Sequence, residues 1–154
     1  MGIRIGINGF GRIGRNIFRI MHESGDFDII AVNDLGDAKT MAHLLKYDSI
    51  FRKFSGEIVV EGEELLIVDG NGIKMLTERD PSRLPWADLG VDFVVEATGV
   101  FRKRAQLEQH LSAGAPKVLL TVPAKDPIDA TIVLKVNCST LKAEHKIISN
   151  ASCT

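Results

Sequence analysis

Cysteine is scarce in this chain, with only Cys138 and Cys153 among 154 residues. Two are too few for a disulfide framework, and no Cys-x-x-Cys pair of the zinc-binding kind occurs. Long apolar runs are missing too. Ile29-Ile30-Ala31-Val32 and Val118-Leu119-Leu120 are of strand length, far below the roughly 20 residues that a membrane helix requires. Neither sign of charge prevails: 19 Lys and Arg face 20 Asp and Glu, and no basic run is long enough to grip a nucleic acid backbone. The N-terminus enters an apolar strand without a basic leader or an Arg- and Ser-rich transit segment, so a cytoplasmic location is the expectation. His22, His43, His110 and His145 show no metal-ligand spacing, so no metal site is expected, and each reads as a surface or helix residue.

What is present suits one globular α/β domain spanning 1–154, since 45% of the residues are apolar. Ile3-Arg4-Ile5-Gly6-Ile7 alternates as a strand does, and Gly9 to Gly14 make a glycine-rich turn. Ile13, Ile17, Ile20 and Met21 then recur at helical spacing before Gly25 closes the element. Phe27 to Val32 is β-rich, completing a βαβ unit with a right-handed crossover. Asp37 caps a second helix that ends near Lys46. Between Glu57 and Thr77, three short apolar runs alternate with Glu61-Gly62-Glu63 and Asp69-Gly70-Asn71-Gly72, which predicts an antiparallel meander standing as an excursion from the main sheet. Further strands are expected at Phe93 to Val95, Val118 to Thr121, Ala130 to Leu134 and Lys146 to Ser149, with a helix from Lys103 to Leu111. The fold class that follows is a Rossmann-type parallel sheet with an inserted short antiparallel meander.

Gly9-Phe10-Gly11-Arg12-Ile13-Gly14 is a G-x-G-x-x-G directly after a strand and opening a helix, the context in which that pattern has meaning. The first glycine permits the tight turn, the second lets a pyrophosphate approach the backbone, and the third lets helix and strand pack closely. The helix start then offers amides and a partial positive charge to the diphosphate. Asp34, twenty residues after Gly14, stands where a carboxylate accepts hydrogen bonds from an adenosine ribose and repels a 2′-phosphate. The cofactor expected is therefore NAD, although Leu35 and Gly36 leave room for NADP.

Ser149-Asn150-Ala151-Ser152-Cys153-Thr154 runs from an apolar strand into small polar residues that often start helices. A thiol there could be held as thiolate by a helix N-terminus, beside the crevice in which such sheets bind ligands. Cys138 reads instead as a small buried hydrophobe. Asp92 and Glu96 bracket a strand and suit ordinary solvation or turn formation. Trp86 reads as a packing anchor.

Together, Asn8-Gly9-Phe10-Gly11-Arg12-Ile13-Gly14-Arg15, Val32-Asn33-Asp34, Lys46-Tyr47-Asp48-Ser49, Glu78-Arg79-Asp80-Pro81, Ala97-Thr98-Gly99-Val100-Phe101, Pro123-Ala124-Lys125-Asp126 and Ser149-Asn150-Ala151-Ser152-Cys153-Thr154 resemble the glyceraldehyde-3-phosphate dehydrogenase family over the whole chain. The resemblance implies that Arg12 and Ile13 line the diphosphate, Asp34 holds the ribose, and Arg79 lies near the adenine. Thr98 and Thr121 would sit along the nicotinamide. Ser152 and Thr154 would flank the catalytic Cys153 and bind substrate or inorganic phosphate. It further implies oxidation of D-glyceraldehyde 3-phosphate with phosphate to 1,3-bisphosphoglycerate, in glycolysis, through a Cys153 hemithioacetal and thioester.

Family members are longer, so the chain is expected to be the NAD-binding half, ending one residue after its nucleophile. The remainder would carry the activating histidine, the arginine that binds substrate phosphate and much of a homotetramer interface. Alone, the chain would catalyse little. Ile50-Phe51-Arg52-Lys53, Ala97 and Arg102 depart from the family's usual residues without removing a mechanistic group. Erythrose-4-phosphate dehydrogenase and a free-standing NAD-binding module remain open alternatives.

Overall fold

The computed structural model describes residues 2–152. Its elements run β1 (Ile3–Asn8), α1 (Arg12–Ser24), β2 (Phe27–Asn33), α2 (Ala38–Lys46), β3 (Tyr47–Asp48), β4 (Arg52–Lys53), β5 (Ile58–Glu61), β6 (Leu65–Val68), β7 (Asn71–Leu76), α3 (Trp86–Leu89), β8 (Phe93–Glu96), α4 (Arg104–Ser112), β9 (Val118–Leu120), β10 (Ala130–Thr131) and β11 (Ile147–Ser149).

Among the described residues, nine strands form one sheet in the order β10-β11-β9-β8-β1-β2-β7-β6-β5, while β3 and β4 pair apart. From β7 through β2, β1, β8 and β9 to β11 all pairs are parallel. In chain order those six strands lie as 3-2-1-4-5-6, the doubly wound arrangement of dinucleotide-binding folds. Strand order reverses between β1 and β8, so a crevice opens past Asn8 and Glu96. The expected α/β class holds.

β1 lies at the centre and is covered on both faces. Ile5 and Ile7 point into a core with Phe18, Leu45 and Val95. Gly6 points the other way, where a Cβ would come within 2.6 Å of the Trp86 ring. Trp86 is itself buried with Ala31, Leu84, Val91, Val94 and Ala115, as expected of a packing anchor. The period of two along β1 thus divides the core into two layers.

Helix ends follow local chemistry. Asp37 accepts the Thr40 amide at 2.9 Å to cap α2, and Gly25 closes α1 at φ 71°. At the start of α4, the Gln106 side chain reaches back to the Lys103 amide at 3.1 Å.

Two expectations about the sheet change. The meander forms, with Asp69 and Gly70 both at positive φ in the two-residue turn between β6 and β7. It does not leave the sheet, however, because β7 pairs parallel with β2 through Ala31–Lys74, Val32–Met75 and Asn33–Leu76. The meander therefore extends the main sheet at one edge. At the other edge, the strand expected from Ala130 to Leu134 stops at Thr131. Asn137 is the reason: its side chain accepts the Val133 amide at 2.7 Å and donates to the Thr131 carbonyl at 2.9 Å, folding the segment into a turn.

Cys138 sits in that turn and is exposed, which corrects its reading as a buried hydrophobe. The Lys135 amide lies 3.0 Å from its sulfur, so local turn geometry holds it at the surface. Among the described residues, no helix is long and apolar enough to cross a membrane.

Candidate functional site

The turn after β1 is built as its glycines require. Gly9 adopts φ +93°, and a Cβ there would lie 2.6 Å from the Thr98 amide nitrogen. Its own amide donates to the Asn33 carbonyl at 2.8 Å, which anchors the turn to the end of β2. Gly14 cannot carry a Cβ either, since one would fall 2.0 Å from the Gly9 carbonyl oxygen. Gly11 is the opposite case, with nothing within 4 Å of a Cβ position. Its glycine is thus not demanded by the protein's own packing, and a close-lying ligand at the helix start fits that open space. Helical bonding begins where Arg15 donates to the Gly11 carbonyl at 3.0 Å, so the preceding amides are those a helix offers to an outside acceptor.

Asp34 follows β2 directly. One carboxylate oxygen accepts the Phe10 amide at 2.7 Å and the other accepts the Gly36 amide at 3.0 Å. Each oxygen keeps a second lone pair for an outside donor such as a ribose hydroxyl.

A cleft of about 440 Å³ lies at the point of strand reversal, lined by Gly9, Gly11, Asp34, Arg79 and Thr98 together with Asn8, Asn33, Glu78 and Phe101. Five of the residues expected from sequence therefore meet in one place. Arg12 and Ile13 are exposed on the first turn of α1 beside it. Arg12 leans toward the Asp48 carboxylate at 3.2 Å, and the Phe51 and Ile50 amides together with Arg12 hold that carboxyl below its ordinary range. Thr121 stands one strand over, past β9, with its hydroxyl donating to the Glu96 carbonyl at 3.1 Å. Ser152 is the last residue described, and Cys153 and Thr154 lie outside the described residues. A larger apolar groove of about 680 Å³ runs between Phe93, Leu119 and Leu141, but no glycine-rich phosphate loop borders it. Volume alone does not identify the site.

Glu96 is 0% exposed rather than solvated, which corrects its sequence reading. His110 lies in a helix, as one half of its reading expects, but is likewise 0% exposed. His110 Nε2 is 2.8 Å from a Glu96 oxygen that also accepts from Asn8 Nδ2 at 2.6 Å. The hydrophobic face of α4 and the parallel neighbours of β8 enclose both groups, so they satisfy each other. A signal was present in the sequence. Asn8, Asn33 and Glu96 are polar residues ending three apolar strands, and residues in that position on neighbouring strands meet.

The family model for glyceraldehyde 3-phosphate dehydrogenase, NAD binding domain, matches residues 3–104 of this chain. The chain belongs to the glyceraldehyde 3-phosphate dehydrogenase family. A glyceraldehyde-3-phosphate dehydrogenase of Thermotoga maritima is 58% identical over 153 residues, covering 98% of this chain and 45% of the relative. Those of Streptomyces coelicolor and Geobacillus stearothermophilus are 56% and 51% identical over 156 and 155 residues, each covering 100% of this chain and 46% of the relative. The chain thus spans about half the length of the curated relatives it matches. The matched region contains the glycine turn, Asp34, Arg79 and Thr98, all of which line the cleft.

Proposed function

We propose that the chain, over 1–154, is the cofactor-binding and nucleophile-bearing domain of a phosphorylating glyceraldehyde-3-phosphate dehydrogenase. The observation that carries this reading is the joining of Asp34 to the glycine turn at the point of strand reversal, in a chain whose relatives bear that enzyme's name. Arg12, Ile13 and Gly14 serve the diphosphate, Asp34 the adenosine ribose, Arg79 the adenine, and Thr98 and Thr121 the nicotinamide side. Because Asp34 sets a negative charge beside the ribose, NAD is preferred over NADP.

Bound NAD supplies the two-electron acceptor. Cys153 adds as thiolate to the aldehyde carbon of D-glyceraldehyde 3-phosphate and holds the substrate covalently. Once the substrate is oxidised to the acyl level, inorganic phosphate displaces the thiolate to give 1,3-bisphosphoglycerate. Ser152 and Thr154 flank the thiol and bind phosphate groups. The histidine base and a homotetramer interface belong to the length that the relatives have in addition. A cytoplasmic location suits this reaction.

The test has two stages. Calorimetric titration of the chain is expected to show NAD binding more tightly than NADP, and binding of NADP alone would overturn the role of Asp34. Fusing the chain to the C-terminal half of the Thermotoga relative should then yield phosphate-dependent NAD reduction that Cys153→Ser abolishes. A faster rate with erythrose 4-phosphate would favour that substrate instead, and no rate with either aldehyde would favour a non-catalytic NAD-binding module.

A further inference from the structure

Six residues form one hydrogen-bonded chain that runs from the buried core behind the cleft into its lining. At one end the Trp86 indole donates to His110 Nδ1 at 3.1 Å. An indole N–H can only donate, so Nδ1 is the bare nitrogen and Nε2–H must be the donor to Glu96 at 2.8 Å. At the other end the Glu78 amide, also a donor only, gives its proton to Asn33 Oδ1 at 2.8 Å. Asn33 Nδ2 then donates to Asn8 Oδ1 at 2.7 Å, and Asn8 Nδ2 to Glu96 at 2.6 Å. Both arms run toward Glu96. The second Glu96 oxygen accepts the Thr98 amide at 2.8 Å and the Thr98 hydroxyl.

Glu96, His110 and Trp86 are fully buried and lie outside the cleft lining, whereas Asn8, Asn33, Glu78 and Thr98 belong to it. We infer that Glu96 is the positioning residue of the cofactor cleft, a buried acceptor that holds Thr98 on one wall and, through Asn8 and Asn33, the Glu78-Arg79 segment on the other. This rests on the reading of the cleft as the NAD site. An acceptor-only group is required, because every neighbour of Glu96 points a proton at it. A donor there would oppose either Thr98 or the Asn8–His110 pair. Turning Asn8 to relieve that would oppose Asn33, and turning Asn33 would oppose the Glu78 amide.

Glu96→Gln keeps shape and replaces one acceptor by a donor. Calorimetric titration of the 154-residue chain should show its Kd for NAD raised about tenfold or more, the scale expected when buried donors are set against one another. An unchanged Kd in a folded variant, with the parent chain binding NAD, overturns the inference. Absence of NAD binding by the parent chain overturns instead the cofactor reading beneath it. Nitrogen-15 spectra of histidine-labelled parent chain supply an independent readout, since His110 should be the neutral Nε2–H tautomer; an Nδ1–H or doubly protonated ring overturns the polarity. If Glu96→Gln does not fold, His110→Phe carries the binding test, because His110 is buried outside the cleft lining and touches the cleft only through Glu96. A Kd raised about threefold or more and restored in His110→Gln, whose side-chain amide can again donate to Glu96, supports the inference, and an unchanged Kd for His110→Phe overturns it.

Discussion

The carboxylate of Asp34 accepts the amide of Phe10 at 2.7 Å, so the acid at the end of β2 is fastened to the glycine turn after β1. The proposed ribose and diphosphate subsites are thereby tied to one another. Asp34→Ala removes the proposed ribose acceptor and leaves both the Phe10 and Gly36 amides without this partner. Loss of NAD affinity of about tenfold or more is expected, with the preference over NADP narrowed, as read by parallel calorimetric titrations.

Gly11 and Gly14 should separate binding from folding. Gly11→Ala places its methyl group in open space, so its melting temperature should match the parent while NAD affinity falls sharply. Gly14→Ala drives a Cβ to 2.0 Å from the Gly9 carbonyl, and it should lose stability before any question of binding arises. Circular dichroism melts beside titrations distinguish the two, and equal stability losses would refute this division of roles.

Gly6 tests the opposite layer of the core. A methyl group there meets the Trp86 ring at 2.6 Å, with no flexible side-chain end to yield. Gly6→Ala should destabilise the fold by about 1–3 kcal/mol in urea unfolding. Trp86 is the only tryptophan in the sequence, so its emission follows that transition without labelling.

Acidification should destabilise the chain in a defined window. The Glu57 amide and His22 hold the Asp69 carboxyl below its ordinary range. Burial on its own pushes Asp129 up, but the Ile147 and Lys146 amides and the Arg104 guanidinium outweigh it and leave that carboxyl lowered too. The unfolded chain then binds more protons than the folded one in this range, so both contributions are intact above about pH 4 and disappear as pH falls through the lowered folded values. Thermal melts between neutral pH and about pH 3 should show this loss, and Asp129→Asn should flatten it while lowering stability at neutral pH.

The glycine turn, the Asp37 cap and the Asp69-Gly70 turn were legible in sequence because each is settled by contiguous residues that must adopt particular backbone angles or accept nearby amides. Asp34 was legible for a related reason, since a short βαβ unit fixes how far along the chain the second strand ends. The short tenth strand was not, because alternation from Ala130 to Leu134 says nothing of the Asn137 side chain that captures its backbone.

By itself, then, the sequence determined the βαβ unit, the cofactor class and five of the residues that meet in the cleft. Tertiary structure decided that β7 returns to pair with β2, and that β1 lies between β2 and β8. That second pairing brings Asn8, Asn33 and Glu96 side by side, and packing of α4 then closes His110 and Trp86 over them. Periodicity cannot show such a cluster, because it reports which face a residue takes, whereas parallel pairing between distant strands decides which polar ends must share their protons.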